Sequence, residues 1–141
     1  MKVGSTKNNL ATLKALYITY AFLLILRLLV VIGFSLLFWT LFDTPEFQSE
    51  LIESGDFDSA MLDAPIKIII EAIFAVIFVV GLVHCILNVV AVNYIDKKKG
   101  QTFIFIVGIL NLFSGILGIG LGVFTIIEIT RPHVKEVFEK A

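Results

Sequence analysis

The chain has 141 residues, of which 58% are hydrophobic and 16% charged, with a formal net charge of -1 and a mean hydropathy of +0.99. Soluble domains carry roughly 45–50% apolar and roughly 25% charged residues, so this composition excludes a disordered or collagen-like chain and argues against a soluble globule. The near-zero net charge excludes a nucleic-acid-binding module, and the single cysteine excludes an internal disulfide and any multi-cysteine metal site.

Residues 1–14 form a leader with Lys2, Lys7 and Lys14 and no acid. An apolar run follows over 15–42, interrupted by Arg27. Crossing a ~30 Å hydrocarbon core takes about 20 helical residues, so this run predicts a first transmembrane helix. Its length exceeds the 7–15 residues of a signal-peptide core, and no small-x-small site follows Phe42, so the helix is expected to be uncleaved. Tyr20 and Trp39, separated by about 28 Å of helix, are expected to mark its inner and outer interfaces. Arg27 falls about 10 Å inside the core, where a charge costs at least ~2.5 kcal/mol on insertion scales. It either reaches back to the inner headgroups or contacts an ion or substrate.

Residues 43–65 carry Asp43, Glu46, Glu50, Glu53, Asp56, Asp58 and Asp63, seven of the twelve acids of the chain, and no base. Thr44-Pro45 suits a helix start, Phe47 and Leu51 share a face, and Gly55 suits a stop. A short amphipathic helix outside the membrane is expected. Asp56, Asp58 and Asp63 lack the residue order of a calcium loop, with Met61 where the turn glycine belongs. A solvated acidic loop without metal is the expectation.

The second run, 66–92, contains Glu71 and His84. Lys67 and Glu71 are spaced i, i+4 and can pair; otherwise Glu71 is a candidate proton or cation site. His84 and Asn88 lie one turn apart, at a depth close to that of Arg27 and not far from Asn111. If these four side chains face one another, they form a polar cluster tying three helices together. Cys85 lies about 100° round the helix from His84, so the two make no metal pair. The link 93–101 then carries Lys97, Lys98 and Lys99 against Asp96, with Tyr94 at the inner end of the run.

The third run, 102–127, has no charge. Its central Asn111-Leu112-Phe113-Ser114-Gly115 could turn the chain, but the two halves would each be about 18 Å long, too short to cross. Ser114, Gly118 and Gly122 recur at i, i+4, i+8, the spacing by which small residues admit a neighbouring helix in lipid. One continuous helix, packed through that face, is therefore expected, with four crossings or a re-entrant hairpin within 102–130 as alternatives. The tail 128–141 would then lie outside. Both basic segments belong on the cytoplasmic side and the acidic loop on the other.

The whole is expected to be a single all-α membrane domain with three transmembrane helices. It contains no G-x-S-x-G, HExxH or phosphate-binding glycine loop, so no enzyme, metal or cofactor is expected. The expected role is association through helices, as a small scaffold or accessory subunit. The alternative is a small oligomeric channel or transporter component using Arg27, Glu71 and His84. Expected partners are the lipid bilayer and either further copies of the chain or a larger membrane complex, without nucleic acid.

The order of segments has a further feature. Phe42-Asp43-Thr44-Pro45-Glu46-Phe47-Gln48 opens the acidic loop, the lysine cluster 97–99 follows the second run, and a final run with Gly108-Ile109-Leu110 ends at Arg131-Pro132. Over residues 10–132 this resembles the small bacterial multi-pass proteins grouped as domain of unknown function 4064. The chain departs from that pattern in its tail beyond Pro132 and its glycine-poor first helix. The resemblance implies a plasma-membrane location and supplies no activity or site residues.

Overall fold

The computed structural model describes residues 3–55 and 65–140. The described residues are helical without strands: α1 (Val3–Phe42), α2 (Pro45–Glu53), α3 (Pro65–Asp96), α4 (Gln101–Asn111), α5 (Ile116–Thr130) and α6 (Pro132–Glu139). Two segments, Asn9–Phe42 and Ile66–Asp96, are long and apolar enough to cross a membrane. Among the described residues a third candidate exists only if α5 and α6, bent by 73°, count as one span. The chain divides into two packed units, residues 1–24 with 84–141 and residues 25–83.

In the first unit, parts of α1 and α3 pack with α4 and α5. The buried positions of α1 are Leu10, Leu13, Tyr17, Tyr20, Ala21 and Leu24, the alternating three- and four-residue spacing of one helix face. Cys85, Asn88, Ala91 and Ile95 do the same on α3, and Ile104, Val107, Gly108 and Asn111 on α4. Contacts that pair rising with falling residue numbers set the helix directions. Lys14 meets Asp96 and Tyr20 meets His84, so α1 and α3 run antiparallel. Tyr94 meets Phe103 and His84 meets Asn111, so α3 and α4 do too. Asn9 meets Glu128 and Tyr17 meets Thr125, which makes α1 and α5 antiparallel. The unit is thus an up-down arrangement of four helices.

The third apolar run is not one helix. It breaks at residues 112–115, and α4 and α5 fold back on each other: the Gln101 amide donates to the Ile129 carbonyl (2.8 Å) at one end, while Gly108 lies against Thr125 and Gly122. The residues at the break accommodate it. Gly115 adopts φ 97, ψ 179, a region that only glycine occupies readily, and the Ser114 N–H and hydroxyl both donate to the Asn111 carbonyl (3.0 and 2.7 Å). The length argument for a continuous helix assumes that each segment must cross. A hairpin covered by neighbouring helices has no such requirement. At about 16 Å and 22 Å, α4 and α5 reach only the level of Tyr20 and His84, and the chain then returns. The tail therefore lies at the end occupied by Asn9 and Gln101, not at the opposite end as a third crossing would place it.

In the second unit, α1 and α3 continue as an antiparallel pair. Leu28 lies where a Cβ on Gly81 would project, and Phe38 packs against Phe74 at 6.2 Å between ring centroids. α2 begins at Pro45 as expected, with Glu46 in its first turn. The Thr44 hydroxyl does not cap it, however, and donates back to the Leu41 carbonyl instead. Gln48 Nε2 donates to the Phe42 carbonyl (2.9 Å) and Phe47 packs on Phe42, which ties α2 to the end of α1. The helix stops at Ser54, and Gly55 follows with φ 75. The Leu51 side chain and Asp56, Asp58, Met61 and Asp63 lie outside the described residues.

Candidate functional site

The polar side chains at depth converge in the first unit. Asn88, one turn after His84 on α3, donates through Nδ2 to the His84 carbonyl (2.8 Å) and to Asn111 Oδ1 (3.2 Å). Asn111 Nδ2 returns a bond to Asn88 Oδ1 (3.0 Å), so the two amides pair reciprocally. The bond to a backbone carbonyl fixes the orientation of Asn88, which in turn fixes that of Asn111. Asn111 Oδ1 therefore faces His84 Nε2 at 2.6 Å. An amide oxygen only accepts, so this pattern assigns the shared proton to Nε2. Both asparagines are fully buried.

The network extends to α1 and to the hairpin turn. The Tyr20 hydroxyl and Ser114 Oγ share a hydrogen bond at 2.5 Å, and the Tyr20 ring meets His84 edge-on at 6.1 Å. One layer towards the termini, Thr125 Oγ1 donates to the Leu121 carbonyl (2.7 Å) and approaches the Tyr17 hydroxyl (3.2 Å). At the end of α5, Glu128 is only 3% exposed. It accepts from Asn9 Nδ2 and from Arg131 Nη2, each at 3.0 Å. His133 Nε2 is the one buried side-chain nitrogen or oxygen without a hydrogen-bond partner among the described residues.

The sequence therefore places three members of the expected cluster, His84, Asn88 and Asn111, but not the fourth. Arg27 belongs to the second unit, where it is exposed and makes no hydrogen bond or ion pair among the described residues. Tyr20 is buried within the protein, because α4 and α5 cover its helix face. Tyr17, Thr125 and Glu128 were not singled out by sequence. The signal for Glu128 is its i, i+3 spacing from Arg131; Tyr17 and Thr125 offer none, since lone hydroxyls are common in apolar helices.

The expected Lys67–Glu71 pair does not form. Lys67 Nζ lies 2.6 Å from Asp43 Oδ1 and 3.5 Å above the Trp39 ring centroid. The end of the antiparallel partner helix and the residue after it present an aromatic face and a carboxylate together, which outcompetes a single carboxylate on Lys67's own helix. Glu71 is half-buried and makes no hydrogen bond or ion pair among the described residues. By the register of Leu28 with Gly81 and Phe38 with Phe74, it stands about 18 Å along the pair from Arg27.

The small-residue positions are packed, though not on one uninterrupted helix. Ser114 sits in the turn. Gly118 is buried against Ser114, the Asn111 carbonyl and the Tyr20 hydroxyl, and Gly122 against the Gly108 carbonyl and Leu112. The helices they admit are α1 and α4 of the same chain. No group of three or more His, Cys, Asp or Glu side chains able to hold a metal ion is present among the described residues.

Helices of this length and apolarity around a buried polar core define an all-α protein of the membrane class. No protein-family model matches the chain, and no curated protein or solved structure matches it.

Proposed function

We propose that the chain is a non-enzymatic integral membrane protein that acts by helix association, as a small scaffold or accessory subunit. One observation carries this reading: His84, Asn88, Asn111, Tyr20 and Ser114 bond to one another. Their hydrogen-bonding capacity goes into joining helices, and the outer surfaces of α1 and α3 stay apolar, with Phe22, Leu29, Phe34, Val76 and Val80 exposed. The resemblance to the domain of unknown function 4064 proteins supports a plasma-membrane location.

In this reading α1 and α3 cross the bilayer, with the leader and Lys97–Lys99 on the cytoplasmic side. The α4–α5 hairpin enters from that same side and turns back within the membrane. Its tip supports this placement, because Phe113 and Ile116 are 84% and 88% exposed, a surface suited to lipid and not to water. Both termini are then cytoplasmic. A tag fused at residue 141 should be labelled only after the cytoplasmic face is opened, and labelling in intact cells would refute this topology.

Glu71, half-buried in a crossing helix without a partner among the described residues, favours a second reading as a channel or transporter component. Purified protein in liposomes distinguishes the two. The scaffold reading expects proton and ion flux equal to that of empty vesicles. Flux that disappears in Glu71→Gln would replace it with the second.

A further inference from the structure

Where α3 gives way to α4, the first unit carries cations that no carboxylate among the described residues neutralises. The Lys98 N–H donates to the Ile95 carbonyl (3.2 Å) and the Lys99 N–H to the Tyr94 carbonyl (3.0 Å), the two bonds that end a helix through one residue of left-handed backbone. Glycine takes that position most easily. Here it is Lys98, with φ 52, the one non-glycine residue of positive φ among the described residues. Lys97, Lys98 and Lys99 are all exposed. The adjacent acid, Asp96, is engaged by Lys14 at 2.7 Å. The ion pairs among the described residues involve Lys14, Lys67, Arg131 and Lys140, and leave Lys97, Lys98, Lys99 and Lys135 without one.

The same end carries α6. This helix turns 73° away from α5 and buries Val134 completely, while Lys135 is exposed.

We propose that this end is a binding surface for anionic phospholipid headgroups, formed by Lys97, Lys98 and Lys99. The lipid headgroup is the fitting source of phosphate because the apolar segment Ile66–Asp96 ends directly at these lysines, which places them at the depth where headgroup phosphates lie. The α3 dipole also favours cations at its C-terminus, but that effect stabilises the helix without distinguishing one lipid from another. The inference requires only that α1 and α3 cross a membrane; it is independent of the scaffold role and of the side on which the lysines lie.

The test uses the full chain in detergent micelles and the fluorescence anisotropy of acyl-labelled phosphatidylglycerol and phosphatidylcholine, with inorganic phosphate as competitor. At about fivefold per engaged cation, phosphatidylglycerol should bind at least about fivefold more tightly than phosphatidylcholine. Replacing all three by glutamine should abolish that preference while leaving phosphatidylcholine binding and the melting temperature close to wild type. Lys98→Gly separates charge from backbone: it should lower the preference yet raise the melting temperature, since glycine adopts the left-handed conformation without a Cβ clash. Equal affinity for the two lipids, or a preference that survives the triple substitution, would overturn the proposal. Displacement of phosphatidylglycerol by an equal concentration of inorganic phosphate would also overturn it, in favour of a soluble phosphate site.

Discussion

Gly118→Leu is expected to destabilise the protein by about 3 kcal/mol or more, the upper range for forcing extra bulk into a packed interior. A Cβ at residue 118 would meet Ser114 Oγ and the Asn111 carbonyl and would come within 2.7 Å of the Tyr20 hydroxyl. The carbonyl belongs to the backbone at the base of the hairpin turn and has little freedom to move away. The Tyr20 and Ser114 hydroxyls bond to each other, so displacing them also breaks the link between α1 and the turn. Gly120 provides the control on the same helix, since nothing lies within 4 Å of its Cβ position. Gly120→Leu should stay within about 0.5 kcal/mol of wild type. Thermal unfolding of the two variants in one detergent checks this. Equal melting temperatures would mean that the hairpin does not pack against α1 through Gly118.

Asn111→Leu is expected to cost about 2 kcal/mol. The substitution nearly conserves volume, so the loss comes from polar groups left without partners. Asn88 loses both bonds of the amide pair, keeping only its donation to the His84 carbonyl, and His84 Nε2 loses its acceptor. Individual interhelical hydrogen bonds in membranes average about 0.6 kcal/mol, and three are lost here around fully buried atoms. The double variant Asn88→Leu/Asn111→Leu makes the test specific. Removing both amides leaves fewer stranded groups than removing one, so the double variant should be more stable than the sum of the two single losses predicts. Strict additivity in thermal unfolding would mean that the two amides do not pair.

The residues of this network were legible to different degrees, for physical reasons. His84 and Asn88 stand out because polar side chains are costly in an apolar run, and their one-turn spacing puts them on one face. Asn111 stands out for the same reason. Tyr20 and Tyr17 do not, because a tyrosine in a transmembrane segment is equally at home at an interface. Depth alone groups Arg27 with the cluster. Depth along a helix does not state which side of the helix a residue occupies, and an arginine stem long enough to reach headgroups needs no internal partner. The Lys67–Glu71 spacing likewise describes what one helix permits by itself, whereas Trp39 on α1 and Asp43 just past its end supply the better site.

By itself the sequence determined the all-α class, the two long apolar helices, the α2 start at Pro45 and the basic and acidic polarity of the connections. Each follows from local quantities: run length against membrane thickness, helix-start chemistry, and the count of charges between runs. The path of the third apolar run was decided only in the tertiary structure. Asn111 to Gly115 permits both a continuous helix and a turn, and the choice depends on what surrounds it. Once Tyr20 bonds Ser114, Asn111 pairs with Asn88, and Gly118 and Gly122 let α5 close against α1 and α4, the hairpin has partners for its polar groups and close packing for its backbone. A continuous helix would satisfy the same backbone hydrogen bonds but would separate Asn111 from these contacts. The balance between the two is a sum of long-range interactions, to which no local pattern in residues 102–127 gives access.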